Sequence, residues 1–318
     1  MKIKTISHKL NSMLKSCRLC PHKCRVNRIE GQTGFCGATH MPVVSAAMPH
    51  HGEEPPLSGN RGSGTIFFSY CNMACLYCQN YQISQQHQGE KATIVELADM
   101  MLNLQHRGCH NINLVSPTIW IAQIVEALTL AKEKGLNLPV VYNTGGYENP
   151  EIIGMLDGII DIYMPDMRYS NDDYAYRYSK IKNYSQYNRQ SVINMYKQAG
   201  ELQLNQQGVA VRGLLIRLLV LPDDLAGVKQ TLEFIKKELS NKVALSIMAQ
   251  YHPTFKACGY PEINRPVTAK EYNQVVNYAQ QLGFELGYVQ DYRRLPGEDD
   301  PFLPDFNQKD VFGPGNKG

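Results

Sequence analysis

Residues 64–80 read Gly64-Thr-Ile-Phe-Phe-Ser-Tyr-Cys-Asn-Met-Ala-Cys-Leu-Tyr-Cys-Gln-Asn80, an apolar, strand-like run that leads directly into a loop with three cysteines. Cys71, Cys75 and Cys78 have the spacing Cys-x3-Cys-x2-Cys, so one short loop offers three thiolates. Because a cubane [4Fe-4S] cluster is normally held by four cysteines, a set of three leaves one iron without a protein ligand. The loop therefore predicts a cluster with one position open to another molecule.

The open iron predicts the binding of S-adenosylmethionine, whose amino and carboxylate groups can chelate it. One electron from the reduced cluster then breaks a C–S bond, which gives methionine and a 5'-deoxyadenosyl radical that abstracts hydrogen from a substrate. Zinc is the alternative metal for this loop, with His87 as the nearest spare ligand. Structural zinc sites usually have four closed ligands, so the three-cysteine set favours the cluster.

Four further cysteines precede this loop and form a second candidate metal site. Cys17, Cys20 and Cys24 have the spacing Cys-x2-Cys-x3-Cys, and Cys36 follows after eleven intervening residues. In a reducing compartment such crowding favours metal binding over disulfides. Four thiolates complete either a tetrahedral zinc site or an auxiliary [4Fe-4S] cluster, and the spacing does not separate the two. Four free cysteines are the remaining interpretation.

Composition limits the partners and the location of the protein. The chain has 318 residues, of which 43% are hydrophobic, enough for a sizeable core. Its formal net charge of +3 gives no electrostatic reason to expect nucleic acid or a membrane as a partner. Residues 1–8 lack the apolar run of a secretory signal, and no stretch approaches the roughly 18 apolar residues of a membrane span. These features predict a cytoplasmic protein.

Helix-like and strand-like segments alternate after residue 90. Capping boxes at Thr93-Ile-Val-Glu96 and Thr268-Ala-Lys-Glu271 predict the starts of two helices. The predicted strands are 111–115, 138–142, 159–164, 209–221 and 243–248, and the predicted helices are 93–105, 121–134, 150–156, 227–239 and 268–282. Successive strand–helix units imply an α/β fold with a parallel sheet and helices outside it, as a full or partial barrel.

The same pattern divides the chain into three parts. Residues 1–60 are a cysteine-rich head and lead-in, 61–290 the barrel domain, and 291–318 a polar tail that is expected to be mobile and able to close over the barrel mouth. The stretch 169–196 mixes tyrosines with basic residues, which is typical of some nucleic-acid surfaces. Acidic residues dilute its charge, so we interpret it as a solvated helix or loop that covers the barrel, and nucleic acid is not expected as a partner.

Polar residues follow several of the predicted strands. Asn143, Thr144, Asp166 and Arg217 each stand at a predicted strand terminus. In α/β barrels these termini meet at one rim, where ligands bind. The four residues are therefore candidates for contacts to the cosubstrate or the substrate, although a turn cap or surface salt bridge would equally explain Asp166 or Arg217 alone.

Further segments, from the head to residue 252, extend the similarity beyond the cluster loop. They are Cys17-Arg-Leu-Cys-Pro-His-Lys-Cys24, Gly31-Gln-Thr-Gly-Phe-Cys-Gly37, Glu53-Glu-Pro-Pro-Leu-Ser-Gly59, Asn111-Ile-Asn-Leu-Val-Ser-Pro117, Tyr142-Asn-Thr-Gly-Gly-Tyr-Glu148, Asp161-Ile-Tyr-Met-Pro-Asp166 and Leu219-Val-Leu-Pro222. Together with the cysteine loop, they resemble the radical S-adenosylmethionine (radical SAM) proteins related to pyruvate formate-lyase activating enzyme. The resemblance implies a partial (β/α)6 barrel, an oxidoreductase, and an electron donor such as flavodoxin or ferredoxin. It also implies that Tyr77 packs beside the adenine of S-adenosylmethionine; a plain apolar wall over the cluster is the other interpretation.

Two departures from the family pattern concern the cosubstrate. Glycyl-radical activases carry Gly-Gly-Glu after the second barrel strand, where this chain has Ser116-Pro-Thr118. The usual carboxylate near the methionine amine is therefore missing there. The related subgroup has Arg-His where this chain has Arg217-Leu218. Leucine transfers no proton and binds no metal, so any role of that histidine is lost or moved.

Three functions follow as hypotheses. The first is abstraction of hydrogen from a glycine of a partner polypeptide, which would activate a glycyl-radical enzyme. The second is radical modification of a small molecule or peptide. The third is a non-catalytic iron–sulfur or zinc module. No segment of the sequence identifies the substrate.

Overall fold

The computed structural model describes residues 2–290, 304–308 and 311–312. Its strands are β1 (Val43–His50), β2 (Ser63–Phe68), β3 (Glu90–Lys91), β4 (Ile112–Val115), β5 (Val140–Thr144), β6 (Ile162–Pro165), β7 (Gln203–Leu204), β8 (Ala210–Leu219), β9 (Ala244–Met248) and β10 (Gly287–Val289). Its α-helices are α1 (Lys2–Ser12), α2 (Pro55–Ser58), α3 (Tyr81–Ser84), α4 (Ile94–His106), α5 (Ile121–Glu133), α6 (Pro150–Met155), α7 (Asp172–Ser179), α8 (Tyr184–Ala199), α9 (Val228–Glu238) and α10 (Ala269–Gln281).

The strands form one sheet in the order β10-β9-β8-β6-β5-β4-β2-β1-β3, with β7 paired to β8. From β2 through β10 neighbouring strands along this path are parallel, whereas β1 is antiparallel to both β2 and β3. Within the described residues the end strands β3 and β10 do not pair, so the sheet is open. The predicted α/β fold with a parallel sheet and a partial barrel is confirmed.

The two predicted capping boxes are present. Thr93 accepts a hydrogen bond from the main chain of Glu96, whose carboxylate accepts one from Thr93 in return, and α4 begins directly after this cap. Thr268 and Glu271 form the same reciprocal pair at the start of α10. Each cap satisfies main-chain N–H groups that a helix start leaves without partners. Local capping chemistry therefore fixes where these two helices begin.

Alternation along the strands places an apolar layer beneath a polar one on the concave face of the sheet. Successive residues of a strand point to opposite faces. Val141 and Leu215 are buried together on this face, and Asn143 and Arg217 stand two residues further along their strands. The polar residues thus face the same side at the carboxyl-terminal ends, where the predicted rim lies.

Residues 51–62 close the bottom of the concave face. They connect β1 to β2 at the amino-terminal ends of the parallel strands and contain the short helix α2. Leu57 is fully buried against Val141, Ile162 and Leu215, and its carbonyl accepts a 2.9 Å hydrogen bond from the Asn111 side chain. We call residues 51–62 the bottom plug, because they fill the lower end of the partial barrel.

The head packs against the barrel through a buried arginine. The Arg28 guanidinium donates to the carbonyls of Thr39 at 2.6 and 2.9 Å and of Ile119 at 2.6 Å, and lies 5.0 Å from the Trp120 ring centre. Each guanidinium nitrogen thus donates one hydrogen bond in a site with 1% exposure, and such bonds offset the cost of burying a charge. The predicted boundary at residue 60 stays a prediction; β1, which lies before it, pairs with β2.

The stretch 169–196 differs from its prediction as a solvated cover. It forms α7 and α8, and Tyr169, Tyr178 and Tyr184 are buried in the core. The hydroxyl of Tyr184 donates to the Gly145 carbonyl at 2.9 Å. The tyrosines supply large apolar surface with a polar tip that reaches the main chain, so one face of these helices belongs to the core, whereas Tyr176 and Arg177 are exposed as the prediction expects.

The polar tail predicted at 291–318 lies mostly outside the described residues. In its described part, the rings of Phe306 and Phe312 lie 5.5 and 5.9 Å from that of Phe67 on β2, and the Gln82 side chain donates to Asp305 at 3.1 Å. These residues thus rest on the wall of the concave face next to the cysteine loop. Separately, the described helices include none with the length and apolar character that a membrane crossing requires.

Candidate active site

The three cysteines of the loop after β2 are all free thiols. Cys75 is buried, and Cys71 and Cys78 are half-buried. The Ser179 hydroxyl donates to the Cys75 sulfur at 3.0 Å, and the Ser84 hydroxyl lies 3.2 Å from the Cys78 sulfur. Hydrogen bonds of this kind to cysteine sulfur tune an iron–sulfur cluster. The donor set and its hydroxyl neighbours fit a cluster held by three thiolates.

Burial favours the protonated thiols of Cys71 and Cys78. Burial, and next the charge of Cys75, raise the pKa of Cys71 to about 12 and that of Cys78 to about 11. Metal binding requires the thiolate and releases the proton. Iron is a strong local cation, so it would supply the positive charge that stabilises buried thiolates.

Arg168 is a residue of the site that the sequence analysis missed. Its Nη2 donates to Asp166 Oδ2 at 2.5 Å, while its Nε is buried and has no hydrogen-bond partner. Its charge lowers the pKa of Cys71 and Cys78 against the larger effect of burial. A buried N–H without a partner is costly, so this donor fits an anionic ligand beside the cysteine loop. The signal in the sequence was an arginine two residues after the strand-end Asp166.

Asn143, Asp166 and Arg217 are brought together, as their positions at strand ends suggest. Arg217 Nε donates to Asp166 Oδ1 at 2.8 Å, and its Nη2 donates to Asn143 Oδ1 at 2.8 Å. Burial raises the pKa of Asp166, but the Arg217 and Arg168 guanidinium groups outweigh burial and hold this pKa below its usual value. Asp166 is therefore ionised and orients both arginines.

The side chain of Thr144 takes no part in these contacts, although its main-chain oxygen accepts a 2.8 Å hydrogen bond from the Asp166 N–H. Its hydroxyl donates to the fully buried Glu148, which also accepts from Thr118 at 2.5 Å and from Tyr142 at 3.1 Å. Burial raises the pKa of Glu148. Neither Thr144 nor Glu148 lines the cleft next to the cysteine loop. A direct contact of Thr144 with the cosubstrate stays a prediction, as does the identity of the group that replaces the missing Gly-Gly-Glu carboxylate.

Tyr77 forms part of the cleft wall. It is 3% exposed, its hydroxyl lies 2.5 Å from that of Tyr169, and its ring meets Tyr251 edge-on at 5.5 Å. Burial raises its pKa well above the usual value. Because the hydroxyl of this neutral phenol is hydrogen-bonded to Tyr169, Tyr77 presents only its ring surface to the cleft. That surface suits an aromatic base as well as a plain apolar wall.

The cleft holds about 990 Å³ of space and opens to solvent beside the cysteine loop. Cys78, Tyr77 and Arg168 line its upper part, and Arg217 and Glu53 line it further down. A charged, partly buried wall of this type suits a polar ligand.

Glu53 in the bottom plug is a second residue that the sequence analysis quoted without assigning it to the site. Its carboxylate accepts from Asn113 Nδ2 at 2.9 Å and lies 3.9 Å from Arg217 Nη1. Burial raises the pKa of Glu53 and of the adjacent Glu54. The floor of the cleft thus carries carboxyl groups and one guanidinium.

Leu218 lies on the opposite face of β8 from the cleft. It is fully buried in the core that the helices cover, whereas its neighbours Arg217 and Leu219 line the cleft. This is the alternation expected of a strand. The replacement of a family histidine by Leu218 therefore affects packing behind the sheet and leaves the cleft surface unchanged.

The four head cysteines line one shared pocket of about 350 Å³. Cys17 and Cys20 are buried, Cys36 is half-buried and Cys24 is exposed. Burial raises the pKa of Cys20 well above its usual value, and its three fellow cysteines raise it further. Thus the fold gathers the four thiols of residues 17–36 around one pocket. Among the residues that the structure describes, however, no three His, Cys, Asp or Glu side chains are arranged to hold a single metal ion.

The sequence of this chain is similar to those of known proteins. The model of the radical SAM superfamily matches residues 65–235, which include the cysteine loop. An uncharacterized protein of Methanocaldococcus jannaschii is 32% identical over 286 residues, which cover 87% of this chain and 78% of that protein. Sequence likeness therefore extends over most of the chain.

Two solved structures superimpose on part of this chain. The [FeFe]-hydrogenase maturase HydG of Carboxydothermus hydrogenoformans superimposes with a TM-score of 0.50 at 11% identity, covering 71% of this chain and 53% of HydG. A radical SAM methyltransferase of Sphaerobacter thermophilus gives a TM-score of 0.49 at 14% identity, with 71% and 65% covered. The chain thus spans less than two thirds of each enzyme. At these identities the likeness concerns the fold alone.

Proposed function

Because the chain belongs to the radical SAM superfamily, we propose that it is an oxidoreductase that cleaves S-adenosylmethionine reductively and abstracts hydrogen from a substrate. Membership in the superfamily implies a [4Fe-4S] cluster and S-adenosylmethionine. The single observation that supports the proposal most is the loop that carries Cys71, Cys75 and Cys78, three free thiols beside a cleft that is open to solvent.

Each residue of the cleft would have a distinct role. Bound together, the cluster and S-adenosylmethionine supply a one-electron cleavage of a C–S bond and hence a hydrogen-abstracting radical. Cys71, Cys75 and Cys78 would hold three irons as thiolates. Arg168 would donate its unpartnered Nε–H to the carboxylate of S-adenosylmethionine, since charge-assisted hydrogen bonds of this type are strong. Tyr77 would form the wall for the adenine.

Asp166 would act by holding two cations in place. It binds Arg168 on one carboxylate oxygen and Arg217 on the other. Arg217 is further tied to Asn143. Arg168 would thereby face the cosubstrate, and Arg217 would face whatever lies deeper in the cleft. This arrangement supports Asn143 and Asp166 as positioning residues.

Modification of a small polar molecule is the substrate hypothesis that one observation favours. The lower part of the cleft is lined by Glu53 and Arg217, and Pro304 and Phe312 narrow its side. A charged floor beneath narrowed walls suits a small polar molecule or a short peptide better than a large polypeptide. Activation of a glycyl-radical enzyme stays a prediction.

The decisive experiment is anaerobic reconstitution with iron and sulfide, followed by dithionite and S-adenosylmethionine. We expect 5'-deoxyadenosine from the native chain and none from Cys75→Ala. The matched control is Cys258→Ala, since Cys258 is exposed and outside both cysteine groups. Absence of 5'-deoxyadenosine from a native chain with a full cluster would favour the non-catalytic module instead.

We also propose that Cys17, Cys20, Cys24 and Cys36 hold a second metal site, either zinc or an auxiliary [4Fe-4S] cluster. The support is their shared pocket and the raised pKa of Cys20, which indicates crowded thiols. The double variant Cys20→Ala, Cys24→Ala should lose either zinc or one cluster equivalent of iron while the loop cluster remains. Unchanged zinc and iron contents would contradict the second site.

A further inference from the structure

The lower part of the cleft combines three carboxyl groups with two guanidinium groups. Glu53 and Glu54 of the bottom plug lie near Arg217, and Asp166 lies between Arg217 and Arg168. Only 8% of the Glu53 side chain and 4% of the Asp166 side chain are exposed. When these five groups are all ionised, they carry one negative charge in excess. Because a buried charge without a partner is costly, one further cation would stabilise this region.

The two guanidinium groups are used mainly by Asp166. This carboxylate binds Arg168 on one oxygen and Arg217 on the other, and Nη2 of Arg217 donates to Asn143. The Nη1 atom of Arg217 lies 3.9 Å from Oε2 of Glu53, which is longer than a hydrogen bond. The Oε2 atom of Glu53 and the Nη1 atom of Arg217 thus stand side by side as an acceptor and a donor that do not bind each other.

Two buried oxygen atoms beside this pair have no hydrogen-bond partner among the described residues. They are Oε2 of Glu54 and Oδ1 of Asn113. Asn113 is fully buried and donates through Nδ2 to Glu53 at 2.9 Å. It precedes Val115, which lines the cleft, by two residues on β4, so both side chains point to the concave face. An unsatisfied buried acceptor is costly, so the surroundings of Glu53 favour a ligand that brings a cation and hydrogen-bond donors.

His50 does not supply the further cation. It lines the same cleft, and burial lowers its pKa to about 4, so its ring is neutral at pH 7. Burial raises the pKa of Glu53 and that of Glu54. A positive charge brought by a ligand would favour the ionised form of these carboxyl groups, since an opposite charge nearby offsets desolvation.

We propose that the substrate is a small amine whose ammonium group binds Glu53, with a neutral oxygen atom beside the ammonium that accepts from Nη1 of Arg217. The inference rests on the proposed function, because it names the substrate class of the same cleft. Amino alcohols and amino amides have this pattern of a cationic donor next to a neutral acceptor. A carboxylate at this place would add another anion to a region that already has an excess of negative charge, and like charges repel.

The ammonium group of S-adenosylmethionine is a different ligand of this cleft. Its proposed place is the upper part, where Cys78 and Arg168 line the wall. Glu53 and Arg217 line the cleft further down. The two ammonium groups should therefore bind at the same time, and this expectation can be tested separately.

The test is saturation-transfer nuclear magnetic resonance on the reconstituted chain with three probes of similar size. Ethanolamine is the cation, ethylene glycol its neutral counterpart and glycolate the anion. We expect ethanolamine to bind at least about tenfold more tightly than either of the others, because hydrogen bonds to charged groups are the stronger ones. Equal binding of the three probes, tighter binding of glycolate, or no binding of ethanolamine would overturn the proposal.

Variants locate the ammonium group on Glu53. Glu53→Gln should bind ethanolamine about tenfold less tightly or worse, whereas Glu53→Asp keeps the charge and should keep the order of the three probes. Glu133→Gln is the matched control, with the same chemical change at an exposed position on α5, and should alter binding less than about twofold. An equal effect of Glu53→Gln and Glu133→Gln would overturn the assignment to Glu53.

A further measurement separates this proposal from the proposed function. Saturating S-adenosylmethionine should change the Kd of ethanolamine less than about twofold, since the two ligands occupy different parts of the cleft. Loss of ethanolamine binding would assign Glu53 to the cosubstrate and overturn the proposal. Absence of 5'-deoxyadenosine from the native chain would refute the proposed function, whereas the preference among the probes is measured by binding alone.

Discussion

The Nε2 atom of His22 lies 2.9 Å from the main-chain oxygen of Asn72. The His22 ring also stacks on Phe35 with 3.9 Å between ring centres. Burial lowers the pKa of His22 while the contact with Asn72 opposes this, and the net pKa is below its usual value. The ring is therefore largely neutral at pH 7 and donates from Nε2. This single donor connects the head to the loop of the reactive cluster.

His22→Phe should loosen that connection while it preserves the ring stacking. We expect a loss of about 1–3 kcal/mol in the free energy of unfolding, because the Asn72 carbonyl loses its partner, together with altered g-values of the reduced loop cluster in electron paramagnetic resonance. Urea unfolding and spectra of the anaerobic protein would measure both. His8→Phe, at an exposed site on α1, should change neither. Unaltered spectra in His22→Phe would show that the loop does not depend on this contact.

Asp166→Asn should destabilise the protein strongly. The substitution leaves the guanidinium groups of Arg168 and Arg217 in a buried site without their shared anion, and loss of one partner of a buried pair costs about 3–5 kcal/mol. Asp99→Asn removes an exposed partner of Lys134 and should cost less than about 1 kcal/mol. Unfolding in urea at pH 7 compares the two. Similar losses in both variants would contradict the role of Asp166.

The same carboxylate predicts an acid-sensitive contribution to stability. Because the pKa of Asp166 is lowered in the folded state, its stabilisation is present above the usual aspartate value of roughly 3.9 and is lost as the pH falls through the lowered pKa. In Asp166→Asn the free energy of unfolding should therefore fall less steeply as the pH is lowered through the acid limb of its pH dependence. A limb identical to that of the native chain would argue against it.

Arg168→Met should weaken the binding of S-adenosylmethionine. Hydrogen bonds to charged groups contribute about 1.5–3 kcal/mol, so we expect roughly a 10- to 150-fold higher Kd in equilibrium binding to the reconstituted protein. Arg107→Met, at an exposed helix end, is the control for the loss of one positive charge. If the two variants bind equally well, the unpartnered Nε of Arg168 serves another ligand.

The free energy of unfolding of the Glu148→Gln variant should increase relative to that of the native chain as the pH rises. Burial raises the pKa of Glu148 in the folded state, so its contribution is fully present below the usual glutamate value of roughly 4.3 and is lost as the pH rises through the raised pKa. The variant cannot ionise, so the difference in unfolding free energy between variant and native chain should grow with pH.

Glu96→Gln is a control in which the pH dependence of stability should have the opposite sign, because the pKa of Glu96 is lowered and that of Glu148 is raised. Hydrogen bonds from Thr93 lower the pKa of Glu96, so the native carboxylate stabilises above the usual glutamate value and loses this effect as the pH falls through the lowered pKa. The variant should therefore be the less stable protein at neutral pH. The same trend with pH in both variants would contradict the assignment for Glu148.

Local chemistry made much of the fold predictable from the sequence. The capping boxes at Thr93 and Thr268 fixed two helix starts, and β8 and β9 lie within the predicted apolar runs 209–221 and 243–248. These signals depend on neighbouring residues alone. Strand β1 was missed because its partners, β2 and β3, are separated from it in sequence, and its residues show no alternation that distinguishes a strand from a loop.

The missed site residues depend on tertiary contacts. Arg168 could not be assigned from sequence because its importance arises from an unpartnered Nε, which exists only once Asp166 and the cysteine loop have come together. Glu53 belongs to the cleft because the bottom plug folds up beneath Asn113 and Arg217. By contrast, Cys71, Cys75 and Cys78 were recognisable at once, since their spacing lies within one loop.

The bottom plug affects the order in which ligands would enter and leave the cleft. Among the described residues, Leu57 fills the lower end of the partial barrel, so a ligand resting on Glu53 and Arg217 would leave past anything bound beside Cys78 and Arg168. The deeper ligand would then arrive first and depart last. Turnover would follow a compulsory sequence, in which fragments of S-adenosylmethionine leave before the altered substrate does.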